Sequence, residues 1–356
     1  MHFIVNTIIT FAIKGKMAST ITIQNRLNWI DWAKALAISF VVFGHIPQTR
    51  GSFLVCFITQ FHIPFFFFIS GYLTKKEYIN KQTANKYFHS LIIPYLCYNL
   101  FFYPYWVARY LIENPNHYWY DFLKPIIGTF MFQHSTQYYE SLNGVTWFIS
   151  ALLIMKCILA LANHLRYGKY IIILIVLCTA SLYCINEYER YVVDLPFVGF
   201  IRCFPFFVLG HLCRQKNYLP EKPNLKKDLF MAILCLSASL MIFYFNRPYD
   251  ITSYAIHFWC LNITAIMGII SLCRLMNNHM NSVILNISIG TLVIMGLHWM
   301  LIGVTNYSLE SILKVSDGKG YPWYIAILLT ILFEAILYPL IILFSKKYPV
   351  MIGKKR

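Results

Sequence analysis

Apolar stretches about as long as a membrane is thick alternate with short polar, charge-bearing ones along the 356 residues of this chain. A spanning helix needs ~20 mostly apolar residues, because backbone groups inside lipid must be satisfied within the segment itself. Ten stretches meet that requirement, at 31–48, 52–73, 87–109, 145–163, 170–186, 194–213, 229–246, 251–273, 283–305 and 322–345. The pattern predicts an all-α, polytopic membrane helix bundle of about ten transmembrane helices.

Composition agrees: 58% of residues are hydrophobic and only 12% charged, where an ordinary soluble domain carries roughly 25% charged residues. A soluble globular protein is excluded. The net charge of +16, from 30 Lys and Arg against 14 Asp and Glu, could by itself indicate a nucleic-acid binder. Its distribution argues otherwise. Twenty of the basic residues fall in loops on the side of the N terminus, seven in the opposite loops, and Lys34, Lys156 and Arg202 within spans. Nine of the acidic residues fall in the loops of the far side. By the positive-inside rule both termini are cytoplasmic, with inner loops summing to +17 and outer loops to −2. An even number of spans gives the same topology. The expected setting is a multi-pass protein of a cell membrane, the plasma (inner) membrane of a bacterium, with lipids and no nucleic acid as partners; oligomeric state is left open.

All ten Cys lie in or at the ends of apolar segments, without CxxC pairs or His/Cys metal spacing, so neither a disulfide framework nor a metal site is expected. No dinucleotide fingerprint or phosphate loop occurs. Two regions fit the pattern less well. Residues 1–25 read as an N-terminal stub whose apolar run, Phe3 to Ile13, is too short to span; it is an interfacial segment or the product of translation starting upstream of Met17. The connection from Tyr110 to Gly144 is the longest, and within it DFLKPIIGTFMF at 121–132 is re-entrant or lies in the interface. Residues 349–356 form a basic cytoplasmic tail.

A charged side chain at mid-bilayer costs at least ~2.5 to 3.5 kcal/mol. The groups that bear this cost are Asp31, Lys34, His45, His62, Lys156, Arg202, His257, His298 and Glu334. Lys34 and His45 are eleven residues apart, three turns plus ~20°, so they share a helix face ~16 Å apart along the axis. Ordinary readings compete with functional ones. Lys34 and Lys156 can snorkel to the interface, Asp31 can serve the helix dipole, and His45, followed by Pro47, can be interfacial. Arg202 is deep in its span and followed by Pro205, which frees a carbonyl; Glu334 is a candidate partner for Arg202 or Lys34. Phe65 to Phe68 read as lipid-facing or packing mass, and Ser70 and Gly71 as a point of close backbone approach.

Five segments resemble the landmark segments of the acyltransferase 3 family of integral membrane acyltransferases: RLNWIDWAKALAISFVVFGHI (26–46), FHIPFFFFISGYL (61–73), TWFISALL (146–153), IRCFPFFVLGHL (201–212) and SIGTLVIMGLHWML (288–301). The first is most similar to the fucose 4-O-acetylase-like branch. The family's motif of a basic residue, ten spacers and a histidine falls on Lys34 and His45. The resemblance implies one transmembrane acyltransferase domain over 26–348. It implies O-acyl transfer, usually of acetyl from cytoplasmic acetyl-CoA, to a sugar hydroxyl of a cell-surface or lipid-linked glycan, with acyl-CoA as co-substrate, no tightly bound cofactor and no metal.

On that resemblance His45, Asp31 and Lys34 are catalytic, with His45 the general base or an acyl carrier. Imidazole, titrating near ~6.5, suits the first role. Arg202, Ser70, His298, Trp147 and Glu334 are then candidates for binding substrate or acyl-CoA. Asp31 and Lys34 would lie toward the CoA mouth, Arg202 would bind the pyrophosphate or stabilise the oxyanion, and His298 would meet His45 or the acceptor. The competing reading is a transporter or flippase of a glycan or lipid intermediate, which the ten spans and Pro-broken helices also suit. A membrane sensor or structural subunit fits the shared Lys34/His45 face least well.

Overall fold

A computed structural model describes residues 27–48, 52–116, 118–131, 142–188, 198–220, 222–245, 250–308 and 320–354. The N-terminal stub lies outside the described residues. Helices stand at each of the ten predicted segments. They are α1 (Asn28–His45), α2 (Phe53–Leu73), α3 (Lys81–Tyr87) running through a π-turn into α4 (Ile93–Glu113), α5 (Lys124–Phe130), α6 (Trp147–His164) and α7 (Gly168–Tyr188), then α8 (Val198–Gln215), α9 (Leu225–Tyr244), α10 (Ile251–Leu275), α11 (Ser282–Ile289), α12 (Thr291–Tyr307) and α13 (Trp323–Lys347). Side chains of Asn80, Asn224, Asp250 and Asn281 accept from backbone N–H groups three residues on and so fix the starts of α3, α9, α10 and α11. Among the described residues there is no strand, only an isolated bridge between Gln48 and Tyr321.

Seven stretches are long and apolar enough to cross a membrane unaided, and α11 with α12 adds an eighth if that bent pair is one span. The pair turns by 80° at Gly290, where an added Cβ would lie 2.5 Å from the Ile341 side chain. The two predicted spans outside this set are α1 and α8. Each has 18 residues, ~27 Å of helix, and each carries intramembrane charge. Their surroundings explain how they are tolerated. Helix α1 packs against α2, α10, α11, α12 and α13, and α8 against α2, α6 and α7, so protein rather than lipid meets much of their surface.

Helices α2 and α8 approach to backbone contact. A Cβ on Gly71 would sit 1.9 Å from the Phe207 carbonyl oxygen, and one on Gly210 would sit 2.0 Å from that of Phe68. The two glycines thus interlock the helices. This contact turns the Phe65 to Phe68 run inward: Phe65, Phe67 and Phe68 are fully buried and Phe66 nearly so. Of the two roles open to that run, packing is the one it fills; it does not face lipid.

The long connection after α4 folds back onto the bundle. Asp121 closes a turn by accepting from the Tyr118 N–H at 2.9 Å and from Lys124 Nζ at 2.7 Å. Helix α5 follows, and the Tyr95 hydroxyl of α4 donates to the Thr129 carbonyl at 2.8 Å. At the far end of the connection Asn143, fully buried, receives from its neighbours and gives in turn: its N–H donates to Asn99 Oδ1 at 3.0 Å and its Nδ2 to the Gly296 carbonyl at 2.8 Å. Residues 132–141 lie outside the described set. The segment from 121 therefore docks against α4 as far as it is described.

At the opposite end of the bundle, Arg274 and Asp228 form a buried ion pair at 2.8 Å, and Arg274 also donates to the carbonyls of Pro220 and Lys222. This ties the α9–α10 hairpin to the loop before it. The first residues of the basic tail are not free. Pro349–Ile352 form a 3-10 turn with Met351 and Ile352 buried, and the Tyr98 hydroxyl donates to the Met351 carbonyl at 2.7 Å.

Candidate functional site

His45 ends α1, and His298 lies in the middle of α12. Their rings meet, His45 Nδ1 standing 3.0 Å from His298 Nε2. His298 is fully buried, and its Nδ1 is 2.9 Å from the carbonyl oxygens of both Ile294 and Met295. A carbonyl can only accept, so His298 Nδ1 carries a hydrogen, and in the neutral ring Nε2 is the acceptor. His45 Nδ1–H then donates to it, which leaves the lone pair of His45 on Nε2. The helix backbone of α12 thus sets the tautomer of a histidine on another helix. The Trp299 ring stands edge-on to His45, with centroids 5.3 Å apart, and restricts its rotation.

The His45 ring lines a cavity of about 630 Å³ walled by Phe102, Tyr105, Trp106, Trp147 and Trp299. Beside the tyrosines its lining carries Arg109 and Glu113, one turn apart on α4 and paired at 2.7 Å. Such a cavity, mostly apolar with a few convergent polar groups, is the usual form of a small-molecule site. Trp147 holds its place because Gly199 of α8 has no side chain, where a Cβ would fall 2.0 Å from the indole.

Arg202 lies on α8 beside α2. Its Nη2 donates to the Gln60 carbonyl at 3.0 Å, its guanidinium faces the rings of Tyr183 and Phe258, each 5.8 Å away, and its Nε is buried without a partner. His62, buried one helix away, donates Nδ1–H to the Ile58 carbonyl at 3.2 Å. Gly44, next to His45, lets that ring abut α1, since a Cβ there would be 3.3 Å from His62 Nε2.

The other expected residues lie elsewhere. Asp31 is buried in the first turn of α1, three turns and more from His45, and accepts from the Ser288 hydroxyl of α11 at 2.5 Å. Lys34 is half-buried one turn on. Glu334 of α13 accepts from the Ser39 hydroxyl at 2.6 Å; of the two partners considered for it, Arg202 or Lys34, Arg202 turns instead to the Gln60 carbonyl of α2. Ser70 donates back along its own helix to the Phe66 carbonyl at 2.9 Å, and Lys156 stands over the Tyr87 ring. His257 Nε2 is buried without a partner. The structure thus brings His45, His298 and Trp147 together. Arg202 lies in the same half of the bundle, and Asp31 and Lys34 stand at the other end of α1.

Tyr105, Arg109, Glu113 and Trp299 were absent from the sequence-based candidates. The first three carry a legible signal, an i, i+4, i+8 stripe on one face of α4. At the end of a span, Arg109 and Glu113 also serve as topology-setting charges, which masks the stripe in the sequence.

The fold is a polytopic membrane bundle in which half-buried His45 meets fully buried His298 beside an aromatic cavity. Residues 27–345 match the family described as an acyltransferase domain, and the chain belongs to that acyltransferase 3 family. It is a membrane acyltransferase. No curated protein and no solved structure matches the chain.

Proposed function

We propose that the protein transfers an acetyl or other short acyl group from acyl-CoA to a sugar hydroxyl of a cell-surface or lipid-linked glycan, with His45 as general base. The observation that carries this reading is the 3.0 Å contact between His45 Nδ1 and His298 Nε2, which leaves the basic lone pair on His45 Nε2 at the cavity wall. His45 removes the acceptor hydroxyl's proton as that oxygen attacks the thioester carbonyl. The tetrahedral oxyanion collapses, the C–S bond breaks, and the imidazolium returns its proton to the departing CoA thiolate. His298 shares the imidazolium's remaining Nδ1–H, so the positive charge is stabilised as it forms. A general base of this kind contributes ~10²- to 10⁴-fold.

Arg202, with an unpartnered Nε, is a cation in the same half of the bundle that can serve the oxyanion. Asp31 and Lys34 are assigned to the end where CoA enters, and the excess of basic residues in the loops of that side supports a cytoplasmic placement. The aromatic walls fit a sugar, whose ring presents an apolar face to Trp and Tyr while its hydroxyls meet the Arg109 and Glu113 pair.

Radiolabelled acetyl-CoA supplied to inverted membrane vesicles tests the reading. Label should pass into glycan or glycolipid extracts, and His45→Ala, folded and inserted, should abolish the transfer. Movement of a glycan or lipid across the membrane with no consumption of acyl-CoA would establish the transporter instead.

A further inference from the structure

The connection that follows α4 does not stay at the level where that helix ends. The Phe122 ring lies against Trp106 and Tyr110, with centroids 6.4 and 5.8 Å away, and the Phe122 carbonyl accepts from the Tyr103 hydroxyl at 3.2 Å. Two turns on, the carbonyl of Thr129 accepts from the Tyr95 hydroxyl at 2.8 Å. The chain therefore runs antiparallel to α4, its contacts moving from the outer part of that helix toward its start. A segment lying flat on the membrane surface would touch only the last turns of α4. Tyr95 lies ~27 Å of helix before Glu113, well inside the span expected at 87–109.

The backbone chemistry fits that depth. Non-helical backbone inside a bilayer is tolerated where protein satisfies its polar groups. Where the chain returns toward α6, the Leu142 N–H donates to Thr129 Oγ1 at 3.2 Å and the Asn143 N–H to Asn99 Oδ1 at 3.0 Å, while the Asn143 carbonyl accepts from the Thr146 hydroxyl at 2.7 Å. Asn99, Thr129, Asn143 and Thr146 are all buried. The other face of the segment is apolar: Leu123, Ile127 and Phe130, spaced by four and three residues, are 44, 44 and 66% exposed. The stretch of α4 that it runs along likewise carries Leu100 and Phe101, 70 and 56% exposed. No charge follows Lys124 as far as Met131. Exposed Tyr118, Trp119 and Tyr120 stand where the segment begins, as aromatic residues do at a membrane surface.

We infer that residues 121–131 re-enter the membrane from the outer side, with Leu123, Ile127 and Phe130 against lipid acyl chains and Thr129 holding Leu142, a wall residue of the His45 cavity, from within the bilayer. Thr129 is then a positioning residue for the acceptor side of the site. The place of the segment stands by itself; its kinetic consequence rests on the acyl-transfer reading.

Nanodiscs of phosphatidylglycerol, doped with a phosphatidylcholine that bears a diazirine either on the headgroup or toward the end of an acyl chain, locate the segment by mass spectrometry of the cross-linked peptides. The chain-borne probe should label Ile127 and Phe130 as strongly as Leu100 and Phe101, and the headgroup probe should favour Trp119. Labelling of Ile127 and Phe130 by the headgroup probe alone, or by neither probe, would overturn the inference. Thr129→Val removes the acceptor of the Leu142 N–H at nearly constant volume. With radiolabelled acetyl-CoA and inverted vesicles, transfer into the vesicles' own glycan should fall roughly fivefold at saturating acetyl-CoA, with the KM for acetyl-CoA and the lipid labelling unchanged. Thr129→Ser should restore the rate. An unaltered rate in Thr129→Val, or a change in the KM for acetyl-CoA alone, would refute the positioning role. If the parent protein transfers no label from acetyl-CoA, the acyl-transfer reading falls, and the labelling pattern still decides where the segment lies.

Discussion

His298 shows how much one fixed hydrogen decides. Its two backbone partners on α12 require Nδ1–H, and that single assignment propagates through the 3.0 Å contact to give His45 its basic nitrogen. His298→Ala removes the acceptor for His45 Nδ1–H while leaving His45 in place. Its expected effect is a fall in kcat of ~10²-fold or more with little change in the KM for acyl-CoA, measured by label transfer in vesicles; an unchanged kcat would show that His298 only packs. Outside the spans, Glu77 offers a pH-dependent counterpart. Burial raises its carboxyl, but hydrogen bonds from Lys86 and Tyr87 outweigh that and hold it below the ordinary carboxylate value. A lowered folded-state value means that its stabilising contribution is complete above ~4.3, the unperturbed value, and is lost as pH falls through the folded one. Glu77→Gln should therefore lower Tm at pH 7, with the gap to the parent closing below about pH 4; a gap that does not depend on pH would refute the assignment.

Among the helices, α2 and α8 carry the tightest constraint. Neither Gly71 nor Gly210 has room for a methyl group, and the obstacle in both cases is backbone, which cannot rotate aside. Gly71→Val or Gly210→Val should destabilise by ~3 kcal/mol or more, seen as a lower Tm and loss of monodisperse protein on gel filtration. The contrasting element is the long connection after α4, which is held by a few polar contacts. Asn143 is the chief of these, joining Asn99 of α4 to the Gly296 carbonyl of α12. Asn143→Ala leaves that carbonyl without its donor, at ~1 to 3 kcal/mol. Because Gly144 and Val145 beside it line the aromatic cavity at His45, the KM for the acceptor should rise more than that for acyl-CoA. Equal changes in both would place Asn143 outside acceptor binding.

For the whole molecule, the basic residues make a prediction about orientation. With +17 in one set of loops and −2 in the other, the end of the bundle that holds Arg274, Asp228 and the 349–352 turn should face the cytoplasm. Green fluorescent protein fused after Arg356 should fluoresce, whereas a periplasmic alkaline phosphatase fused there should be inactive; the reverse result would invert the sidedness of donor and acceptor. In the expected orientation His45 and the cavity around it open toward the outer face, and Asp31 and Lys34 toward the inner one. Transfer therefore requires the acyl group to reach across roughly the ~16 Å that separates Lys34 from His45 along α1.

Hydropathy alone determined the class of this protein and the ten apolar stretches at which helices stand, because every segment that crosses lipid must satisfy its own backbone and so writes its length into the sequence. The shared face of Lys34 and His45 was equally legible, since helical periodicity is local. The partner of His45 was not: His298 is 253 residues away, and no periodicity relates α1 to α12. Nor could the spacing of Glu334 reveal that it meets Ser39 while Arg202 turns to Gln60, because which faces of α1, α8 and α13 oppose one another is set by packing. Arg109 and Glu113 illustrate the limit most clearly. In the sequence they are charges at the end of a span, and only the apposition of α4 with α12 places them in the wall of the cavity that His45 lines.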